Sequence, residues 1–299
     1  FLFPVATRPN LLVVTQAQAT KLLVERQRVT GIEYSREGQR EQVRSTREVI
    51  LCGGVVDSPK LLMLSGIGPA DHLRAIGVPV VADLPGVGSN LQDHLKLSIR
   101  WNGRTTLPPS TLTAGMFVRS QRRADAAASP PDLQFYVGRG LDQPDRFVTI
   151  TVSLVRPRSR GDVRLRSADP VAAPAIRGNY LQDPDDIRAL VEGVRLARAF
   201  GNTTAYGKLR SDEIEPGAAV VTDEALAGFA RRASDTIYHP AGTCRMGTDN
   251  RAVVDARLRV IGIEGLRIAD ASIMPDVVSA TTHATCVMIG SRAADFILG

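Results

Sequence analysis

Three textures follow one another along the chain. Over residues 1–94, short apolar runs alternate with polar turns. NLLVV (10–14), ATKLLVE (19–25) and VTGIEYS (29–35) read as β-strands, and REVILCGG (47–54) as a strand closing on a glycine pair. A continuous run such as VILC suits a strand covered on both faces. DSPKLLMLSGIG (57–68) begins with an Asp-Ser-Pro helix start and stops at glycines, and PADHLRAIG (69–77) is a second short helix closed by Gly77.

Residues 95–235 alternate apolar and polar positions, as an antiparallel sheet with one wet face does. LKLSIRW (95–101), LQFYVG (133–138), FVTITVSLV (147–155) and GDVRLR (161–166) are its predicted strands, with loops expected at RTTLPPSTLTAG (104–115) and RRADAAASPPD (122–132). DPDDIRALVEGVRLARAFG (183–201) is the clearest helix, acidic at its start and basic near its end, and TDEALAGFARRA (222–233) is another, capped by Thr222. From 236 onward strands return at RLRVIG (257–262) and GLRIAD (265–270). The last helix, THATCVMIGSRAADFIL (282–298), is apolar around most of its girth and is expected inside a larger body. The two ends share one texture and the middle another. This predicts a split first domain (1–94 and 236–299) with a second domain, 95–235, inserted.

Composition narrows the function class. With 43% hydrophobic and 23% charged residues, the 299-residue chain is that of a globular protein, and no apolar run reaches the roughly 20 residues that cross a bilayer. Three cysteines without a CxxC point to a reducing compartment, so a cytoplasmic location is expected. The net charge of +6 invites nucleic acid as a partner, but the arginines are strewn among acids and 5% aromatics offer no stacking platform. Nucleic acid is therefore not expected. FLFPVATRPNLLVV (1–14) lacks an initiator Met, a basic n-region and a cleavage site, and reads as the middle of a longer protein.

Several chemistries lack their motifs. No His or Cys pair has metal-ligand spacing, no GxSxG marks a hydrolase nucleophile, and GIGPAD and GVGSNL break off before a GxGxxG is complete. Of the four histidines, His72 reads as a solvated helix face and His94, in LQDHL, as structural. His239 is set against Pro240 in HPAGTCRMG, and His283 opens the last apolar run. Each alone also reads as an ordinary turn or capping residue. Together they suit hydroxyl chemistry, with one imidazole accepting a proton and the other holding the substrate oxygen. Thr281 or Thr282 would cap the last helix, and free N–H groups around Ala284 and Thr285 would stabilise an anionic group.

The segment from REVILCGG to LQDHL (47–95), with YHPAGTCRMG (238–247), VVDARLRVIGIEGLRIADASIMP (253–275) and TTHATCVMIGSRAADFIL (281–298), resembles the glucose–methanol–choline flavin oxidoreductases. The resemblance implies an α+β fold: an α/β-type FAD-binding domain, incomplete here, with an antiparallel-sheet substrate domain inserted. It implies FAD as cofactor, His239 as catalytic base and His283 as the second catalytic position, occupied by His or Asn in relatives. Asp270 and Ala271 fall where the family meets the FAD pyrophosphate and ribityl chain. Ala284 and Thr285 fall beside the flavin ring, Ala19 beside the adenine, and Tyr238 next to the base. Val55 stands where the family's internal signature has a small residue.

The implied reaction is oxidation of a small-molecule alcohol, with a proton passing to His239, a hydride to flavin N5, and oxygen or a quinone-type molecule as electron acceptor. The dinucleotide GxGxxG unit is absent from the chain, so it is expected to be a fragment that alone binds FAD weakly. The alternative is a truncated homologue or binding module that never holds FAD.

Overall fold

A computed structural model describes residues 1–104, 112–121, 130–139 and 147–299. Strands β1 (Ala17–Glu25), β2 (Arg28–Arg36) and β3 (Gln39–Arg44) form an antiparallel sheet. Its two hairpin loops are two residues long, and Arg26, Gln27, Glu37 and Gly38 all take positive φ, as the primed turns that match strand twist require. The predicted strand at 10–14 does not form. Leu12 is 85% exposed there, and no helix or strand forms between the 3₁₀ turn at Phe3–Val5 and the start of β1 at Ala17. An apolar run without a pairing edge has no ladder to join.

Strand β4 (Val49–Leu51) leads into helix α1 (Gly54–Leu64), which begins three residues before the predicted Asp-Ser-Pro start and carries Pro59 in its interior. Proline has no N–H for the carbonyl four residues back, here Val55. The Thr243 hydroxyl donates to that carbonyl instead, at 2.7 Å. A tertiary donor thus permits a proline that the local pattern places at the helix start. Strand β5 (Ile67–Gly68), helix α2 (Ala70–Ala75) and strand β6 (Ala82–Asp83) follow.

After β7 (Ser89–Leu91), strand β8 (Leu95–Gly103) starts the main sheet with β9 (Leu112–Val118), β10 (Leu133–Arg139) and β11 (Phe147–Leu154). The loops expected at 104–115 and 122–132 lie largely outside the described residues, but 112–115 are strand. Strand β12 (Gly161–Arg164) leaves this sheet and pairs with β7 and β13 (Ala175–Arg177).

Helix α3 (Pro184–Gly201) is capped by the Asp183 carboxylate, which accepts from the Asp185 N–H, and is followed by the single turn α4 (Thr204–Gly207). Helix α5 (Asp223–Ala233) is capped by Thr222 as expected. Strands β14 (Arg210–Glu215) and β15 (Asp235–Thr236) both pair with β8, completing the sheet in the order β14-β8-β11-β10-β9. Leu95, Leu97, Ile99 and Trp101 alternate into a core closed by α3 and α5. Gly193 lets α3 approach closely, because a Cβ there would come within 2.6 Å of Val152 Cγ1.

A second core is built from both chain ends and includes Leu22, Leu62, Val87, Cys244, Val254 and Ile268. Strand β16 (Leu266–Ile268) joins β4 in parallel, Leu51 opposite Ile268. The expected strand at 257–262 is only a set of isolated bridges, with Leu258 at a φ of 66°. Helix α6 (His283–Leu298) buries Ile289 and Ala293 but leaves Met288 51% exposed. Within this chain its apolar girth is covered on one side only.

Candidate active site

The turn 238–247 is held from two directions. Ala241 exchanges both main-chain hydrogen bonds with Gln92, at 2.8 and 3.0 Å. On the other side Gly242, Cys244 and Met246 donate to the carbonyls of Ala271, Ser272 and Ile273 at 3.2, 2.8 and 2.7 Å. The sequence HPAGTCRMG is small because this seam leaves no room. Gly242 takes a φ of 96°, and a Cβ on it would come within 2.6 Å of the Asn90 carbonyl oxygen.

Asp93 pins the start of the same turn. It is buried, and its Oδ1 accepts the main-chain N–H of His239 at 3.0 Å. Its Oδ2 accepts the hydroxyls of Thr236 at 2.5 Å and Tyr180 at 2.9 Å. Tyr238, between them, takes a φ of 62° with its N–H donating to Thr236 Oγ1. Non-glycine backbone in that region is strained and persists only where its surroundings over-determine it. The Tyr238 side chain is 79% exposed.

The ring of His239 is half-buried, and its Nδ1 lies 3.0 Å from Nδ1 of His94, a residue with no exposed surface. Burial pushes the His239 pKa down, against an upward pull from the Asp93 charge. Burial, and then the neighbouring His239, pushes His94 down to about 4. Both imidazoles are therefore neutral near pH 7, and His239 is able to take a proton. His94 is the site residue that the sequence reading missed. Its one signal was its place directly after Asp93 in LQDHL.

Among the described residues no hydrogen bond or ring contact joins His283 to His239. His283 is exposed at the first position of α6, where Thr282 is the N-cap residue but makes no side-chain cap. Its main-chain N–H and those of Ala284 and Thr285 have no intrahelical acceptor. Ala284 is exposed and Thr285 half-buried.

Asp270 holds its own surroundings together. Its Oδ2 accepts from the Gly54 N–H and the Ser58 hydroxyl, and its Oδ1 from the Ser272 N–H, starting the 3₁₀ turn Ala271–Ile273. Ala271 packs on a small cluster of Val55, Leu91 and Val163. Val55 is therefore part of a buried apolar cluster. Ala19 is exposed on β1 and lines a cavity of 410 Å³ with Leu51, Cys52, Gly53 and Ser58. Among the described residues no cluster of three or more metal-ligating side chains occurs, and no helix is long and apolar enough to cross a membrane.

Comparison with known proteins places the fold. Two models of the GMC oxidoreductase family match, one over residues 1–96 and one over 157–290. The chain is 39% identical to the mitochondrial choline dehydrogenase of Mus musculus over all of its own length and 55% of that protein. It is 38% identical to the alcohol dehydrogenase [acceptor] of Pseudomonas putida, over all of this chain and 60% of the other. The chain thus spans between half and two thirds of these relatives. Among solved structures, pyridoxine 4-oxidase from Mesorbium loti superposes with a TM-score of 0.89 and 30% identity, over 98% of this chain and 59% of that one. By sequence and by fold, the chain belongs to the GMC oxidoreductase family.

Proposed function

We propose that this chain supplies the substrate side and part of the cofactor side of an FAD-dependent oxidation of an alcohol CH–OH group, with His239 as proton acceptor. The observation that carries the reading is a neutral, half-buried imidazole gripped at its backbone by Asp93 and at its ring by His94. A general base needs that combination of access, fixed position and a free proton site.

The residues present fit FAD. The 410 Å³ cavity beside Ala19 is lined by Gly53, Cys52 and Ser58 together with apolar Ile50, Leu51 and Leu61, a mixed wall that suits the nucleotide end. Gly54, at a φ of 74°, has nothing within 4 Å of the place a Cβ would fill. Asp270 fixes this glycine turn through Gly54 and Ser58. Ala19 and the turn would hold the nucleotide end, Asp270 and Ala271 the centre, and Tyr238, Ala284 and Thr285 the ring end. Bound FAD supplies the hydride acceptor. His239 takes the hydroxyl proton, His283 offers a hydrogen bond to the substrate oxygen, and the uncapped start of α6 favours negative charge beside it. The relatives named for choline and for alcohol support a small-molecule alcohol as substrate. Those named for an acceptor and as oxygen-dependent support reoxidation of the cofactor by an external acceptor, which we propose to be oxygen or a quinone-type compound.

The test is single-turnover flavin reduction by alcohols in the FAD-loaded protein. His239→Ala should slow reduction by roughly 10² to 10⁴, as loss of a general base does, with flavin content unchanged. Reduction at the parent rate would end this reading, and failure of the complete protein, rather than of this chain alone, to take up flavin would favour a non-catalytic binding module.

A further inference from the structure

The chemistry proposed for His239 and His283 needs both beside one oxygen atom, although no hydrogen bond or ring contact joins them among the described residues. Gln92 is bonded to the segment of each. It lies on the loop between β7 and β8 and is 2% exposed. Its main chain pairs with the His239 turn: its N–H donates to the Ala241 carbonyl at 3.0 Å, and the Ala241 N–H donates to its carbonyl at 2.8 Å. Its side chain holds a different segment. The amide Nε2 donates to the Pro275 carbonyl at 3.0 Å, and Oε1 accepts the Val277 N–H at 3.2 Å. Residues 278–282 lead from there to His283 at the start of α6.

These two partners fix the orientation of the amide. Reversed, it would set its nitrogen against the Val277 N–H and its oxygen against the Pro275 carbonyl, donor on donor and acceptor on acceptor. Residues 274–282 form no helix or strand. No ladder places Val277, and its buried N–H takes its acceptor from a side chain instead. Asn90 assists at one end of the seam. Its Nδ2 donates to the Gly242 and Pro275 carbonyls at 3.2 and 3.1 Å. Pro275 thus has two side-chain donors, whereas the Val277 N–H is held by Gln92, so the loss of the Gln92 amide falls mainly on Val277.

We infer that Gln92 is a positioning residue that sets the start of α6, and with it His283, against the turn that carries His239. Its main chain is anchored in one segment and its side chain in the other, so a single residue fixes how far apart the two histidines stand. For its effect on the reaction the inference rests on the roles proposed above for His239 and His283. The tether itself does not depend on them. Gln92 places the partner histidine, as the next two residues, Asp93 and His94, hold the base.

The experiment is amide hydrogen exchange of the FAD-loaded protein with Gln92→Met, which keeps the length of the side chain and removes both of its hydrogen bonds. Exchange over 276–282 should quicken by roughly ten-fold, the worth of one hydrogen bond. The 238–247 turn should keep its protection, because its pairing with Gln92 is main chain to main chain. Equal quickening of both segments would mean general loosening and would overturn the inference, as would parent-like exchange over 276–282. Flavin reduction gives a second reading. Gln92→Met should slow it by roughly ten-fold in the parent and by much less in His283→Ala, where the contact it sets is already gone. The same factor in both backgrounds would overturn the role. If Gln92→Met fails to fold, the parent decides: the Val277 amide should exchange slowly, and exchange at the rate of an open loop would end the inference. Exchange is read without any alcohol, so a failure of the proposed reaction and a failure of this tether are told apart.

Discussion

Asp93 and His239 are joined by a 3.0 Å hydrogen bond from main-chain N–H to carboxylate. Two adjacent residues, Asp93 and His94, thereby hold the backbone and the ring of the same histidine. His239 is positioned from one short loop before β8, not by its own turn alone.

Asp93→Asn should therefore disturb both stability and chemistry. The carboxylate accepts three hydrogen bonds, and the amide has one oxygen and a nitrogen that cannot accept. Losing charge-assisted bonds of this kind costs about 1.5–3 kcal/mol. Thermal unfolding should shift down by several degrees, and flavin reduction should slow because the His239 backbone is released. A variant with lowered stability but the parent reduction rate would show that the base does not depend on this tether.

Thr243→Val should be more damaging than its conservative shape suggests. Pro59 leaves the Val55 carbonyl without a helical donor, and Thr243 supplies the replacement. Removing the hydroxyl leaves a buried carbonyl unpaired, at about 1–3 kcal/mol, while Thr243→Ser should restore most of the loss. Equal stability of the Val and Ser variants by chemical denaturation would contradict this account.

The buried histidine pair sets a pH dependence of stability. The pKa of His94 falls from 6.5 to about 4 on folding, so between those values the unfolded chain binds a proton that the folded chain does not. Stability from this source is complete above pH 6.5 and is lost as the pH falls toward 4, by roughly 3 kcal/mol in full. His239 is shifted the same way and adds to the slope. His94→Asn should flatten the dependence measured by denaturant unfolding between pH 4 and 6.5. Parallel curves for parent and variant would mean that His94 protonates inside the folded protein.

His283 should tolerate what His239 does not. It stands exposed at the start of α6, and its proposed part is a hydrogen bond to the substrate oxygen, which an Asn amide also makes. His283→Asn should keep much of the flavin-reduction rate, His283→Ala should lose the contact, and His239→Asn should lose the base. Finding His283→Asn as impaired as His239→Asn would exchange the two roles.

Much of the fold was legible because its signals are local. The alternation of Leu95, Leu97, Ile99 and Trp101 marks a half-covered strand, and Asp183 and Thr222 cap the helices they announce. The failures have tertiary causes. Pro59 suggested a helix start, yet a hydroxyl far along the chain lets the helix begin at Gly54. Residues 257–262 carry a strand composition but turn at Leu258 and leave only bridges. At the site, His239 stood out by its company in a small-residue turn. His94 did not, because its meaning comes from a ring 145 residues away that no local pattern encodes.

Cys244 lies in the middle of the turn that carries His239, fully buried, with its N–H bonded to the Ser272 carbonyl. Burial raises its thiol pKa, so in the closed state it is both unreachable and unreactive. Cys52 is exposed. The protein thus contains a built-in pair of chemical clocks. Alkylation at Cys52 times access to the cavity whose wall it forms, and alkylation at Cys244 times the lifting of the 238–247 turn from its seam. The ratio of the two rates is a measure of how often the site comes apart, obtained without altering a single residue.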